Sequence, residues 1–249
     1  MKYIRTLVAR GWGLFGALLA ASLTLVAALF PRRTGLVWLV ARGWGFSTIA
    51  LSSGQPFKTR GTERLKMMSG AVVMSNHRSI LDPPAIIASS PQPLNIIAKH
   101  TLFWIPVFGQ GMWAAGHISI NRSNREKSFE SIERAAASIR EGKNVLVFPE
   151  GKRSTEAELS PFKKGGFVLA IKSGVPIIPI GIAGTDHNVP KGFGIVSKGP
   201  ITLVVGQPIP TSQWTLDTKG ALSDLVGERI EALRAEAVAW REQLLCGED

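Results

Sequence analysis

Residues Trp12 to Phe30 form an apolar run of 19 with no charge in it. A helix of that length, rising about 1.5 Å per residue, nearly matches the roughly 30 Å hydrocarbon layer of a bilayer. Lys2, Arg5 and Arg10 precede the run, and Pro31, Arg32 and Arg33 follow it. A cleaved signal peptide fits poorly, because the run is long and the two arginines stand where a cleavage region belongs. Cation flanks both ends, so charge does not orient the segment. A second apolar stretch, Leu36 to Leu51, carries Arg42 in its middle. A charge at mid-bilayer costs roughly 2.5 to 3.5 kcal/mol, which makes this stretch a poor independent span. It reads either as an interfacial helix with Arg42 reaching the headgroups or as the return arm of a hairpin turning at Phe30 to Thr34. The expected division is a membrane-anchoring helical hairpin over 1–54 and a catalytic unit over 55–249.

The 29 Lys and Arg against 18 Asp and Glu leave a net charge of +11. Such a chain favours anionic partners: nucleic acid, acidic lipid headgroups or phosphorylated substrates. The apolar N-terminus favours lipid, so an anionic membrane surface is the expected partner. No nucleic-acid motif is present, and nucleic acid is not expected. Cys246 is the single cysteine. It permits no intrachain disulfide framework and no cysteine-based metal site, which fits a reducing compartment.

From residue 70 onwards, short β-rich runs alternate with helical ones. The strand candidates are Ala71 to Ser75, Leu94 to Lys99, Gly116 to Ile120, Asn144 to Phe148, Pro176 to Ile182 and Ile201 to Val205. Several are apolar throughout, as strands covered on both faces are. Helical periods run over 124–141, with Phe129, Ile132, Ala136 and Ile139 on one face, and over 161–173. A last helix, about 220–245, places Val226, Ile230, Leu233, Ala237, Trp240 and Leu244 on one stripe. The spacing predicts an α/β fold: a mixed sheet flanked by helices, with the hairpin attached.

The stretch Ser75-Asn76-His77-Arg78-Ser79-Ile80-Leu81-Asp82-Pro83-Pro84 follows the first buried strand candidate. Loops at strand ends are common catalytic positions in α/β folds. Histidine suits proton abstraction from an alcohol near neutral pH. A carboxylate close by fixes its tautomer and stabilises the imidazolium, as in serine hydrolases. Asp82 is equally a natural helix N-cap with Pro83 at the first helical position, and the two roles are compatible.

Asn76-His77-x4-Asp82 resembles the signature of the glycerolipid acyltransferase family, whose best-known members are the 1-acylglycerol-3-phosphate acyltransferases. Further blocks follow in the family's order over about residues 70–206. They are Ala98-Lys99 with Trp104-Ile105-Pro106-Val107-Phe108-Gly109, Gly116-His117-Ile118-Ser119-Ile120-Asn121-Arg122, Phe148-Pro149-Glu150-Gly151-Lys152-Arg153-Ser154, and Val175-Pro176-Ile177-Ile178-Pro179-Ile180. The resemblance implies His77 as general base and Asp82 as its orienting partner. It implies Asn76, Glu150 and Gly151 at the substrate, the last two beside the glycerol backbone, and Arg122 and Arg153 on the acceptor's phosphate, where planar paired donors match the oxygens. Lys99 and Lys163 are further cationic candidates. Lys152 replaces the family's usual Thr, and Asn121 stands where many members carry an acidic residue.

The reaction so implied is transfer of a fatty acyl chain from a thioester, acyl-CoA or acyl carrier protein, to the sn-2 hydroxyl of a lysophosphatidate. Neither a metal nor a cofactor is expected. Backbone N–H groups over Asn76 to Ser79 are candidate oxyanion donors. The location implied is membrane-associated, on the cytoplasmic face of the cell membrane. Two other readings stand beside this one: acylation of a phosphate-free lysolipid such as a lyso-ornithine lipid, and a non-catalytic membrane scaffold. A serine hydrolase is disfavoured, because the chain has no Gly-x-Ser-x-Gly elbow.

Overall fold

The computed structural model describes residues 2–30, 33–66, 69–121, 125–154, 159–192 and 194–247. The chain opens with two long helices, α1 (Lys2–Ala27) and α2 (Arg33–Ser53). There follow β1 (Phe57–Arg60), α3 (Glu63–Lys66), β2 (Ala71–Ser75), α4 (Asp82–Ser89) and β3 (Leu94–Lys99). A 3-10 turn at His100–Trp104 leads into α5 (Phe108–Ala114), β4 (Ile118–Ile120), α6 (Arg125–Arg140) and β5 (Asn144–Val147). The remainder is α7 (Gly165–Ser173), β6 (Ile177–Ala183), α8 (Thr185–Asn188), β7 (Ile201–Val205) and α9 (Lys219–Cys246).

Among the described residues, seven strands make one sheet in the order β1-β7-β6-β2-β5-β3-β4. Pairing is parallel except between β6 and β7, so β7 and β1 run against the other five. The sheet is therefore mixed, as the alternation predicts. β2, β5, β6 and β7 are buried at every position, which is why their sequences are apolar rather than alternating. One face carries a core built from Val73, Ile86, Ile178, Ile201 and Leu203 together with Ala9 of α1 and Ile49 of α2. The opposite face packs Val72, Met74 and Ile177 against Ala136 and Ile139 of α6, Phe167 of α7 and Leu222, Val226 and Ile230 of α9. Each such fully buried Val, Leu or Ile contributes roughly 1.5 to 3 kcal/mol of burial. The stripe expected on α9 is the one the sheet covers, with Ala237 fully buried and Leu233 and Trp240 packed beside it. The side chain of Phe129 lies outside the described residues.

The N-terminal pair forms a helical hairpin. α1 begins ten residues before the apolar run, and its first turns stand on the sheet-bearing body. Arg5 donates to the carbonyls of Ser52 and Ser197, and Arg10 to those of Gly192 and Gly194. Arg42 turns inward: its guanidinium reaches the carbonyl of Ala88 on α4 at 3.4 Å and lies over the ring of Phe46. A C-terminal carbonyl of a neighbouring helix is a natural partner for a cation and removes the need to reach water. Among the described residues, α1 is the one helix long and apolar enough to cross a membrane.

Candidate active site

The site lies at the carboxyl ends of the central strands β2, β5 and β6. β2 ends at Ser75, opposite Ile180 of β6. The side chain of Asn76 then supplies the next rung in place of backbone: Nδ2 donates to the carbonyl of Ile182 at 3.0 Å, and Oδ1 accepts its N–H at 2.9 Å. This frees the main chain to leave the sheet at His77. Asn76 is fully buried, with both polar atoms spent on Ile182. Asn76, expected at the substrate, shapes the loop through these two bonds.

The loop folds over Asp82. Oδ2 of Asp82 accepts three hydrogen bonds, from His77 Nδ1 at 2.8 Å, Arg78 N at 2.7 Å and Ser79 N at 2.8 Å. Oδ1 accepts the hydroxyl of Thr185, at the start of α8, at 2.5 Å. A fully buried carboxylate costs several kcal/mol unless donors surround it, and here four do. The helix-capping role open to Asp82 is not used. Leu81 is the N-cap of α4, and the carboxylate turns back onto the loop. Pro83 and Pro84 bring no N–H to the first turn, so nothing there competes for it.

Donation from Nδ1 to a carboxylate leaves the lone pair on Nε2. Nε2 of His77 has no protein partner among the described residues, and the side chain is 17% exposed. The imidazole stacks on Phe148, with centroids 4.1 Å apart and planes at 23°. The His77 peptide is clasped from the other side. Its N–H donates to Glu150 Oε1 at 2.7 Å, and its carbonyl accepts the N–H of Ser154 at 2.9 Å. Glu150 Oε2 accepts the N–H of Ser160 at 3.1 Å, and the residue is 2% exposed. The carboxylate expected beside the glycerol backbone thus holds the peptide of His77 to that of Ser160. Of the expected oxyanion donors, the N–H groups of His77, Arg78 and Ser79 are committed to carboxylates.

The cationic candidates divide by position. Arg153 is half-buried one residue before the Ser154 contact, and its carbonyl accepts Lys191 Nζ at 3.2 Å. Lys163 is exposed, with its N–H on the carbonyl of Pro149 at 2.8 Å. Lys99 ends β3, exposed and paired in register with Ile120. Arg122 lies outside the described residues. A cavity of about 240 Å³ opens beside Phe148, walled by Ile97, Ile120, Ile132, Val147 and Leu169 and bordered by Gly151 and Lys163. Outside it, His117 accepts the N–H of Ile96 through Nδ1 at 3.1 Å, and burial pushes its pKa down to about 4. Sequence reasoning missed Thr185 and the Phe148 stack. The only signal for Thr185 was its place just past the apolar run that becomes β6, the neighbour of β2.

A strand-end histidine oriented by a buried aspartate, on a mixed sheet with an apolar cavity alongside, offers a base for an acceptor hydroxyl next to room for an apolar chain. The family model "Acyltransferase" matches residues 56–183, and the chain belongs to that family. A 1-acyl-sn-glycerol-3-phosphate acyltransferase of Limnanthes douglasii is 34% identical over 198 residues, 74% of this chain and 70% of the relative. The enzyme of the same name from Saccharomyces cerevisiae is 28% identical over 237 residues, 92% of this chain and 76% of that one. The crystal structure of the 1-acyl-sn-glycerophosphate acyltransferase PlsC of Thermotoga maritima has the same fold. Its TM-score is 0.77 at 24% identity, covering 94% of this chain and 98% of the other.

Proposed function

We propose that the protein transfers a fatty acyl chain from an acyl thioester to the sn-2 hydroxyl of 1-acyl-glycerol-3-phosphate, giving phosphatidic acid for phospholipid synthesis. The observation that carries this is the Nε2 of His77, without a protein partner among the described residues, on an imidazole whose Nδ1–H is fixed by a buried Asp82. Nε2 takes the proton of the acceptor hydroxyl, and the oxygen attacks the thioester carbonyl. The C–S bond breaks as the tetrahedral intermediate collapses, and the departing thiolate takes the proton back from the imidazolium. The Asp82 carboxylate stabilises that imidazolium throughout. The balance needs only acceptor and thioester, with no cofactor.

The apolar cavity beside Phe148 is suited to a fatty chain, and Arg153, Lys163 and Lys99 supply cations for the phosphate, with Arg122 as a further candidate. The hairpin over 1–54 places the catalytic unit, 55–249, on an anionic membrane at the cytoplasmic face, where acyl-CoA or acyl carrier protein delivers the donor. The relatives named for 1-acyl-sn-glycerol-3-phosphate favour a phosphate-bearing acceptor over a lyso-ornithine lipid. An acceptor panel tests this. Product from lysophosphatidate and not from lyso-ornithine lipid supports the reading, and the reverse order of rates overturns it.

A further inference from the structure

The connection between β3 and β4 keeps some of its apolar side chains inside and holds others out in solvent. Phe103, Phe108 and Met112 form a small core with Ala98 and Ile96. Between and beyond them, Leu102, Trp104, Ile105, Val107 and Trp113 face outward, Trp104 being 81% and Trp113 59% exposed. The segment is tightly built rather than loose. Phe108 N donates to the carbonyl of Pro106 at 2.7 Å, closing a γ-turn on Val107 at φ 65° and ψ −53°. That conformation is rare and strained for a β-branched residue. Gly109 follows so closely that an added Cβ would lie 2.1 Å from the carbonyl oxygen of Phe103. Strain spent on holding apolar groups in water makes sense when the surroundings are not water.

We infer that the segment from His100 to Ala114 is a second membrane-contacting element, a rigid wedge whose exposed Trp104, Ile105, Val107 and Trp113 enter the headgroup–acyl boundary of the bilayer beside the hairpin. The inference rests on the proposal that the hairpin itself sits in the membrane. Continuity fixes the occupant. α5 packs on α1 so closely that a Cβ at Gly111 would stand 2.5 Å from the Cβ of Ala21. α1 leaves Leu19, Leu23 and Val26 exposed on the turns around that contact. The two apolar surfaces therefore adjoin. Tryptophan is a side chain enriched at membrane interfaces, as the exposed Trp104 and Trp113 would be here.

The test uses the full chain with Cys246→Ser and single cysteines introduced as Trp104→Cys, Leu14→Cys and Leu216→Cys, each labelled with bimane. Leu14 reports the hairpin, and Leu216 precedes α9 on the opposite face of the sheet. The proteins are reconstituted in phosphatidylcholine–phosphatidylglycerol vesicles containing shallow doxyl lipid. Labels at 104 and 14 are expected to shift to the blue and lose a comparable share of their fluorescence, while the label at 216 keeps its own. Quenching at 14 with none at 104 overturns the wedge and leaves the hairpin reading intact. Quenching at neither overturns both. A label at 104 that stays unquenched in vesicles but shifts on adding acyl carrier protein assigns the face to a protein and also overturns the proposal.

Discussion

Glu150→Gln separates a carboxylate that binds glycerol from one that holds the catalytic loop. Both oxygens of Glu150 accept backbone N–H groups, from His77 at 2.7 Å and Ser160 at 3.1 Å. An amide keeps one acceptor and sets an NH2 against the other donor. One buried N–H is then unsatisfied, at about 1 to 3 kcal/mol, and the surviving bond loses its charge assistance, about 1 kcal/mol more. The loss of about 2 to 4 kcal/mol, at about 2 to 4 °C per kcal/mol for a chain this size, lowers Tm by roughly 4 to 16 °C. Glu150 is the clamp on the His77 peptide, so losing one of its bonds and weakening the other loosens the base. A displacement on the order of 1 Å costs about 100-fold in rate. Thermal melts and steady-state kinetics with varied lysophosphatidate are expected to give a lower Tm and kcat reduced about 10- to 100-fold, with KM nearly unchanged. A raised KM with wild-type kcat and Tm would refute the reasoning and return Glu150 to the substrate.

Asp82→Asn removes the acceptor that fixes Nδ1–H; kcat is expected to fall by about 10³ to 10⁴, as in the serine-protease triad, and a loss under tenfold counts against the orienting role. Thr185→Val deletes one hydrogen bond to a charged carboxylate, about 1.5 to 3 kcal/mol, so kcat should drop roughly 10- to 100-fold with recovery in Thr185→Ser; equal activity of the two variants contradicts the assignment. His117 is held neutral by burial, its pKa lowered from 6.5 to about 4. The stability this contributes is complete above about pH 6.5 and is lost as pH falls towards 4, because the unfolded chain binds the proton first. About 2 kcal/mol of the total of about 3 is gone by pH 5. Denaturant midpoints between pH 7 and 5 should fall less steeply in His117→Gln; an unchanged slope refutes the account.

The strands that the sequence reveals best are those covered on both sides. Ala71–Ser75 and Ile201–Val205, buried at every position, keep their expected bounds because mainly apolar runs have few other places to fold, and Leu94–Lys99 keeps its bounds though only partly covered. β1, Phe57–Arg60, escaped notice because a four-residue edge strand carrying Lys58 and Arg60 has no apolar period. Its charge also blunts the open edge. α4 and α5 are too short, at eight and seven residues, to establish a helical period. In the site, the His77–Asp82 spacing was legible because both residues lie in one loop and its adjoining helix. The roles of Asn76, Glu150 and Thr185 were not, because each depends on a backbone group or side chain 73 to 106 residues away.

The most direct test of the central claim is acyl transfer from labelled acyl-CoA and from acyl carrier protein to lysophosphatidate in detergent, with His77→Ala alongside. The account predicts phosphatidic acid from the wild type with at least one donor, and its near-complete loss in a variant whose melting curve shows it folded. Transfer that survives the substitution would contradict His77 as the base, and no product from either donor would contradict the reaction itself.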